Sequence, residues 1–234
     1  MSSGVDSYKK SQPREYLESI VVAVILALFI RTFVVQAFKI PTGSMETNLL
    51  IGDHLLVNKL VYSPSFGSLE GVGFAKEKIA RGHVVVFKFP EDPTRDFIKR
   101  VVGLPGETIE MRGKRIYVDK ELLDEPYAHF LEPALSPNHP AYGLRGENRR
   151  DNWGPNVVPE GKLFVLGDNR DNSRDSRAWG FLPIDQVKGR ALIVYWSYEA
   201  TREEYHRTGY WEWARDTFAA VGKTRWRRFF HVIR

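Results

Sequence analysis

The feature that most constrains this chain is a hydrophobic segment close to its N-terminus. Residues 19–35 read SIVVAVILALFIRTFVV, and Arg31 is the one charged residue among them. A helix of this length spans about 26 Å, close to the ~30 Å hydrocarbon core of a bilayer. From Ile20 to Ile30 there is no polar stripe of the kind that a helix in a soluble domain shows, which argues against a buried core helix. The sequence therefore predicts one transmembrane helix over residues 19–36.

Basic residues in front of the segment predict its orientation. Lys9, Lys10 and Arg14 precede it, and such residues stay on the cytoplasmic side of a membrane. We therefore expect a cytoplasmic N-terminus and a body on the opposite side, although Arg31 and Lys39 weaken the charge difference. A cleaved secretory signal stays open as the alternative, because residues 35–37, Val-Gln-Ala, resemble a small-x-small cleavage site.

Composition favours a β-rich body after this segment. The 234 residues include 19 Gly and 13 Pro, and 13% are aromatic, which suits short strands and turns better than a helical bundle. The chain has no cysteine, which excludes a disulfide framework, a thiolate metal site and a cysteine nucleophile. The six histidines form no metal-binding motif, so we expect neither a metal nor a cofactor.

Short runs rich in Val, Ile, Phe and Tyr, separated by Gly, Pro and Asp, predict the strands. The runs are His54–Tyr62, His83–Phe89, Phe97–Gly103, Thr108–Met111, Arg115–Asp119, Leu163–Leu166 and Arg190–Tyr198. They predict a mainly β fold with predominantly antiparallel strands. Six prolines without clean periodicity predict a loop-rich subdomain inserted over Leu123–Pro159, and Gly67–Gly82 is interpreted as an exposed loop.

The positive charge of the chain is concentrated at its C-terminus. The net charge is +5, and residues 215–234 alone carry six basic side chains against one acid, Asp216, so the rest is neutral. A neutral body is a poor surface for nucleic acid, and we expect no such partner. The C-terminal stretch is also aromatic, which favours contact with anionic lipid, while a solvated or packed terminus stays open. Its aromatic residues are Trp211, Trp213, Phe218, Trp226, Phe229 and Phe230.

Three further segments contain residues that could carry chemistry. Ser44, in the run Ile-Pro-Thr-Gly-Ser-Met over residues 40–45, follows Gln36 by eight residues, so an extended chain keeps it within roughly 29 Å of the membrane. Lys99 alternates with Arg100 in a predicted strand and shares its apolar face with Phe97 and Val101. Burial there would lower the pKa of the amine from ~10.4 to near 8, at a cost of about 3 kcal/mol. A solvated loop hydroxyl and an edge-strand lysine are the alternatives.

The third segment, Gly167–Gly180, alternates arginine with aspartate. Asn169, Asp171, Ser173 and Asp175 are spaced like calcium ligands, but the sixth position from Asn169 is Arg174 rather than Gly, and the twelfth is Gly180 rather than Glu. The segment is interpreted as a turn of ion pairs and Asx-type hydrogen bonds that holds a few side chains rigidly.

In this order after a membrane helix, these segments resemble the bacterial type I signal peptidases, or leader peptidases. The resemblance runs from about Arg31 to Tyr198 and includes Gly52-Asp53, Gly82–Phe87 and Phe97–Gly106. It implies a mostly β catalytic core with an inserted subdomain. It also implies an endopeptidase of the bacterial cytoplasmic membrane that removes signal peptides from preproteins after Ala-x-Ala sites. The sequence leaves the oligomeric state open, and we expect a monomer. The expected divisions are 1–18 (cytoplasmic), 19–36 (helix), 37–107 and 161–200 (catalytic core), 108–160 (insert) and 201–234 (tail).

The resemblance assigns roles to single residues. It implies Ser44 as the nucleophile and Lys99 as the general base, with the Thr42 hydroxyl and the Ser44 backbone N–H forming the oxyanion hole. Ser173 matches a serine that hydrogen-bonds the lysine amine. Asp175, Arg177 and Arg100 match positions that brace the site by ion pairing.

Two departures from the family pattern and two alternatives complete the predictions. Thr42 stands where Ser is common and keeps the hydroxyl, while Thr47-Asn48 replace a frequent Pro-Thr, which we expect to loosen the loop behind Ser44. A Ser–Lys autoprotease shares the proposed chemistry but carries a DNA-binding helix-turn-helix that is absent here. A membrane-anchored β binding module without activity is the second alternative.

Overall fold

The structure, a computed structural model, describes residues 12–62, 78–131, 151–199 and 222–233. An α-helix (α1, Gln12–Phe29) continues into a single turn of π-helix, Ile30–Val34. Within the 23 residues from Gln12 to Val34, an 18-residue window has a mean hydropathy of 2.3 and none of its residues is buried, and no other described helix is long and apolar enough to cross a membrane. The predicted helix covered residues 19–36, whereas the observed helix begins earlier, at Gln12, and ends earlier, at Val34.

The helix ends because the chain joins a sheet. Strand β1 (Val35–Lys39) pairs antiparallel with β2 (Asp53–Asn58), from Val35 opposite Asn58 to Lys39 opposite His54. Val35 and Gln36 therefore belong to a strand rather than to the helix. The Val-Gln-Ala sequence that resembles a cleavage site lies within this paired strand.

The prediction of a mainly antiparallel β fold is confirmed. An eight-stranded sheet has the order β1-β2-β11-β3-β4-β9-β10, with β12 paired to β11, and a smaller sheet has the order β7-β6-β5-β8. The strands of the large sheet after β2 are β3 (Val84–Phe89), β4 (Asp92–Gly103), β9 (Lys162–Leu166), β10 (Leu182–Pro183), β11 (Val187–Ser197) and β12 (His231–Val232). The smaller sheet contains β5 (Thr108–Arg112), β6 (Arg115–Val118), β7 (Glu121–Leu122) and β8 (Trp153–Val157).

Several predicted boundaries were wrong. The run His54–Tyr62 splits into β2 and a 3₁₀ turn, Leu60–Tyr62. The region expected to be irregular contains β8, which pairs with β5 from Thr108 opposite Val157 to Met111 opposite Trp153. Pro155 lacks an N–H and hid this strand from the sequence pattern, but an edge strand tolerates it. Residues 67–77 of the predicted loop and 132–150 of the predicted subdomain lie outside the described residues.

Three apolar clusters surround the centre of the large sheet. One contains Met45 and Leu49, which follow Ser44 in sequence, together with residues of β2 and β11. A second is formed by alternate residues of β3, β4 and β9. The third, which includes Ile109 and Phe164, joins the two sheets. Strand β4 lies between β3 and β9, so its residues 98–103 are enclosed from both sides.

Candidate active site

Ser44 and Lys99 meet beside the large sheet. Ser44 lies in a 3₁₀ turn, Gly43–Met45, a few residues after β1. Lys99 lies in β4 opposite Val85 of β3. Their atoms Oγ and Nζ are 2.8 Å apart, and the residues are 9% and 3% exposed. Such a distance permits direct transfer of a proton between the hydroxyl and the amine.

The surroundings of Lys99 favour the neutral amine. Burial lowers its pKa to about 8, because an ammonium loses its hydration there; Arg177 acts in the same direction, while the carboxylates of Asp175 and Asp168 oppose it. An appreciable fraction of the amine is therefore uncharged near neutral pH.

A backbone carbonyl orients the amine. Lys99 Nζ donates a hydrogen bond of 2.8 Å to the carbonyl oxygen of Ile98, the preceding residue. In a neutral amine this contact uses one N–H and leaves the nitrogen lone pair available for the Ser44 hydroxyl. The geometry thus suits an amine that accepts the serine proton.

A buried ion pair lies beside the amine. Asp175 accepts hydrogen bonds of 2.8 Å from both Nε and Nη2 of Arg177, and it also accepts from the backbone N–H groups of Gly167 at 3.1 Å and Arg177 at 3.3 Å. Burial alone would raise the pKa of Asp175, but Arg177 and these hydrogen bonds outweigh it and hold that pKa below its usual value. Arg177 also donates to the carbonyl of Arg170 at 2.6 Å. Asp175 therefore remains a carboxylate next to Lys99.

Arg100 makes a second buried ion pair on the opposite face of β4. Its Nε and Nη2 donate to the two oxygens of Asp168 at 2.8 and 2.7 Å, and Nη1 donates to the carbonyl of Gly82 at 2.8 Å. The guanidinium lies 4.0 Å from the centre of the Tyr127 ring. Arg100 and Asp168 are 1% and 0% exposed, so the pair is shielded from water.

Sequence reasoning singled out neither Asp168 nor Asn169 as a site residue. The Asn169 side chain donates to the carbonyl of Gly43 at 3.1 Å, and its backbone N–H donates to the carbonyl of Ser44 at 3.2 Å. Asn169 therefore fixes the turn that carries Ser44. Both residues were visible in the sequence, because Gly-Asp-Asn begins the arginine–aspartate segment. A single sequence does not reveal, however, which polar groups of this segment contact another loop.

Gly167 allows the loop to approach Ser44. A Cβ atom at this position would lie 2.5 Å from the carbonyl oxygen of Ser44 and 2.2 Å from Oγ of Ser173. Both distances are far below van der Waals contact. Only glycine fits between these two segments without displacing one of them.

Two predicted site residues are not joined to the Lys99–Ser44 pair. Ser173 Oγ is buried and has no hydrogen-bond partner of ordinary geometry among the described residues, although it lies close enough to Asp175 to help lower the pKa of that carboxyl. Thr42 is exposed and extended, and its side chain does not cap the turn that follows. Neither hydroxyl contacts the Lys99 amine in the structure.

The expectation of a loosened loop after Ser44 was wrong. The Asn48 side chain donates to Asp168 Oδ2 at 2.7 Å and to the carbonyl of Tyr127 at 3.3 Å. Asn48 thereby ties the loop to the Asp168–Arg100 pair. The amide supplies two N–H donors, whereas the frequent threonine at this position supplies one O–H donor.

The oxygens that suggested a calcium loop bond to the protein itself. Asp171 accepts from Lys114 Nζ at 2.6 Å and from the backbone of Leu131 at 2.8 Å, and Asp175 pairs with Arg177. Within residues 12–62, 78–131, 151–199 and 222–233, no group of three His, Cys, Asp or Glu side chains could hold a metal ion.

Comparison with known proteins assigns the chain to a family. Residues 13–196 match the family described as signal peptidase, peptidase S26. A signal peptidase I of Aquifex aeolicus is 32% identical, with 79% of this chain and 84% of that protein covered. A signal peptidase I of Leptolyngbya laminosa is 37% identical, with 80% and 84% covered. The crystal structure of a signal peptidase I from Enterococcus faecalis is 31% identical and covers 49% of this chain and 97% of its own, with a TM-score of 0.37. The chain therefore belongs to the S26 family of signal peptidases, and it is a peptidase.

Proposed function

We propose that this chain is a membrane-anchored serine endopeptidase that removes signal peptides from exported preproteins, with Ser44 as nucleophile and Lys99 as general base. The 2.8 Å separation of Ser44 Oγ and Lys99 Nζ in a buried site carries the proposal. A pKa of about 8 for Lys99 supports it, because a base must be unprotonated near the operating pH. The resemblance adds the preference for Ala-x-Ala sites.

The reaction divides into acylation and deacylation. The Lys99 amine takes the hydroxyl proton while Ser44 Oγ bonds to the scissile carbonyl carbon. The C–N bond then breaks, the leaving amine takes the proton from the Lys99 ammonium, and the signal peptide stays on Ser44 as an ester. The Lys99 amine, now neutral again, then removes a proton from a water molecule, and the oxygen of that water attacks the ester. The signal peptide leaves as a carboxylic acid, and the proton returns to Ser44.

Two donors are proposed to stabilise the oxyanion. The Ser44 backbone N–H has no acceptor among the described residues, and the Thr42 hydroxyl is on an exposed residue just before the turn. Donors aimed at a developing oxyanion are worth about 3 kcal/mol each. A substrate carbonyl lying against Oγ of Ser44 would be within reach of that N–H.

We propose that Ser173 receives the third N–H of the protonated Lys99. An ammonium has three donors, and the structure gives Nζ two partners, Ser44 Oγ and the Ile98 carbonyl. The Ser173 hydroxyl is buried and has no hydrogen-bond partner of ordinary geometry among the described residues, and both it and the Ser44 carbonyl lie beside Gly167. A change of its rotamer on protonation of Lys99 would satisfy both groups. Asp175, Arg177 and Arg100 are proposed to brace this arrangement.

The test is cleavage of a preprotein with an Ala-x-Ala site by the full chain in detergent. We expect a new N-terminus directly after the second alanine, no cleavage when that alanine is replaced by leucine, and loss of nearly all activity in Ser44→Ala and Lys99→Met. Cleavage by Ser44→Ala at the wild-type rate would overturn the proposal. Cleavage only of the chain itself would support the autoprotease alternative, and binding of the preprotein without cleavage would support the binding module.

Helix α1 is proposed to anchor the enzyme in the bacterial cytoplasmic membrane with the body outside the cytoplasm. Its length and hydropathy support this. Because the natural chain has no cysteine, a single cysteine at position 3 or 162 can report topology. In intact spheroplasts, a membrane-impermeant maleimide should label Lys162→Cys and not Ser3→Cys. The reverse pattern would contradict the orientation.

The C-terminal aromatic residues are proposed to contact lipid. Trp226 and Phe230 are each 70% exposed, and Arg227 beside them is exposed as well. Trp211, Trp213 and Phe218 lie outside the described residues. A fluorophore on Trp226→Cys in anionic nanodiscs should be quenched by a lipid-borne quencher more strongly than one on Lys162→Cys. Equal quenching would contradict lipid contact.

A further inference from the structure

The end of the chain packs against the segment that carries Ser44. The C-terminal segment, Gly222–Ile233, ends in β12, which extends the large sheet by pairing His231 with Val194 and Val232 with Ile193 of β11. Ile233 is 7% exposed and belongs to the apolar cluster that contains Met45 and Leu49. This packing lies beyond residues 13–196, which the family model matches.

Arg228 joins the C-terminal segment to the loop after Ser44. Its Nε donates to Asp53 Oδ1 at 3.1 Å, and its Nη2 donates to Asp53 Oδ2 at 2.6 Å. The same Nη2 donates to the carbonyl of Asn48 at 2.7 Å. One guanidinium thus contacts the loop at Asn48 and the first residue of β2 at Asp53, four and nine residues after Ser44.

Asp53 is a buried junction for these contacts. It is 0% exposed and also accepts a hydrogen bond of 2.6 Å from the Ser197 hydroxyl and one of 2.8 Å from the backbone N–H of Leu50. Arg225 adds a hydrogen bond of 3.0 Å to the carbonyl of Ile51. Removal of Arg228 would leave a buried carboxylate without the guanidinium that it pairs with, which is a strongly unfavourable arrangement.

Asn48 extends this network to the other side of the active site. Its carbonyl accepts from Arg228, while its side chain donates to Asp168, the partner of Arg100 in β4. The loop after Ser44 is therefore held between the C-terminal segment on one side and the Arg100–Asp168 pair on the other. A shift of the loop would move the Ser44 turn relative to Lys99.

We propose that Arg228 is a positioning residue for Ser44, so that the C-terminal segment belongs to the catalytic unit. The inference rests on the proposed function, because it assumes that Ser44 is the nucleophile. The basic and aromatic residues of the C-terminal segment then form two groups, one that faces the loop after Ser44 and one that faces away from it. Arg225 and Arg228 face the loop, whereas Trp226, Arg227 and Phe230 face outward.

The test compares Arg228→Gln with the matched control Arg227→Gln in the full-length enzyme, with preprotein cleavage measured well below the melting temperature of each variant. Misplacement of a nucleophile by about 1 Å costs on the order of 100-fold, so we expect Arg228→Gln to lower kcat about 10- to 100-fold. KM and the pH midpoint should not change, because substrate contacts and Lys99 are untouched. Arg227→Gln should match the wild type.

A second set of variants covers the case in which Arg228→Gln does not fold. Asp53→Asn with Arg228→Gln removes both charges, so it should fold and cleave faster than Arg228→Gln alone. Arg228→Lys keeps the charge without the paired donors and should give an intermediate kcat. Wild-type kcat in Arg228→Gln, or no recovery in the double variant, would overturn the proposal. Ser44→Ala serves as the reference: if it still cleaves, the proposed function fails, whereas an inactive Ser44→Ala beside a fully active Arg228→Gln refutes this inference alone.

Discussion

Lys99 Nζ and Ser44 Oγ are 2.8 Å apart although the two residues are separated by 55 positions in the chain. Lys99 comes from the middle of the large sheet, and Ser44 comes from a turn that follows α1 and β1. The sheet brings them together because β4 lies inside it and the turn at residues 43–45 is fixed to the loop that follows β9. The meeting of a buried amine with this hydroxyl is the relationship from which the predictions below follow.

Replacement of Lys99 by methionine should abolish cleavage and stabilise the fold. The folded-state pKa of about 8 lies below the usual value of 10.5. Below pH 8 the buried ammonium therefore destabilises the folded state by its full amount, and this destabilisation decreases as the pH rises towards 10.5. Lys99→Met removes a penalty of up to about 3 kcal/mol at pH 7. The melting temperature in detergent should rise at pH 7, with a smaller gain at pH 9.5. The exposed control Lys162→Met should not change it, and an unstable Lys99→Met would contradict the account.

Asp175→Asn and Arg177→Gln should shift the pH dependence of cleavage in opposite directions. The Asp175 carboxylate raises the pKa of Lys99, and the Arg177 guanidinium lowers it. Loss of the carboxylate should therefore move the midpoint of kcat/KM to lower pH, and loss of the guanidinium should move it to higher pH. The measurement is kcat/KM between pH 6 and pH 10 for both variants. Shifts in the same direction would mean that these groups do not act through the charge on Lys99.

Gly167→Ala should impair catalysis more than stability. The added methyl would meet the Ser44 carbonyl and the Ser173 hydroxyl at 2.5 and 2.2 Å, so the Ser44 turn must move. We expect kcat to fall on the order of 100-fold, because the displaced hydroxyl loses its alignment with Lys99. Gly222→Ala is the matched control, since nothing lies within 4 Å of its Cβ position. Equal kcat values for the two variants would contradict this role of Gly167.

Thr42→Val should slow turnover without abolishing it. Valine keeps the shape of threonine and removes the hydroxyl proposed for the oxyanion hole, and loss of one such donor costs about 100- to 1,000-fold in kcat. Thr42→Ser keeps the donor and should stay within about tenfold of the wild type. Thr42 is exposed, so neither change should alter the melting temperature. A fully active Thr42→Val would remove Thr42 from the mechanism.

The sequence predicted the parts of the fold that follow from local patterns. Apolar alternation in Phe97–Val102 placed Lys99 on a buried face, and the fold supplied the burial that lowers its pKa. The strand at Trp153–Val157 was missed because it is exposed on most of its residues and contains a proline. Its pairing with β5 depends on a partner more than 40 positions away, which no local pattern encodes.

The supporting contacts of the site were predicted less completely. Arg100 was expected to form an ion pair, but its partner Asp168 was not identified, and Asn169 and Gly167 were not recognised as contacts of the Ser44 turn. The C-terminal arginines were interpreted as a charged tail, whereas Arg228 pairs with the buried Asp53. These contacts join segments that are distant in sequence. Charge and composition therefore identified the charged residues but did not predict which residues they pair with.

The pH dependence of kcat/KM for preprotein cleavage by the wild-type enzyme tests the central claim most directly. Below its pKa Lys99 is an ammonium and cannot take the Ser44 proton, so kcat/KM should fall about tenfold per pH unit on the acid side. The account predicts a midpoint at pH about 8, with no measurable cleavage at any pH in Ser44→Ala. A rate that does not change between pH 6 and pH 10, or cleavage by Ser44→Ala with the same profile, would contradict it.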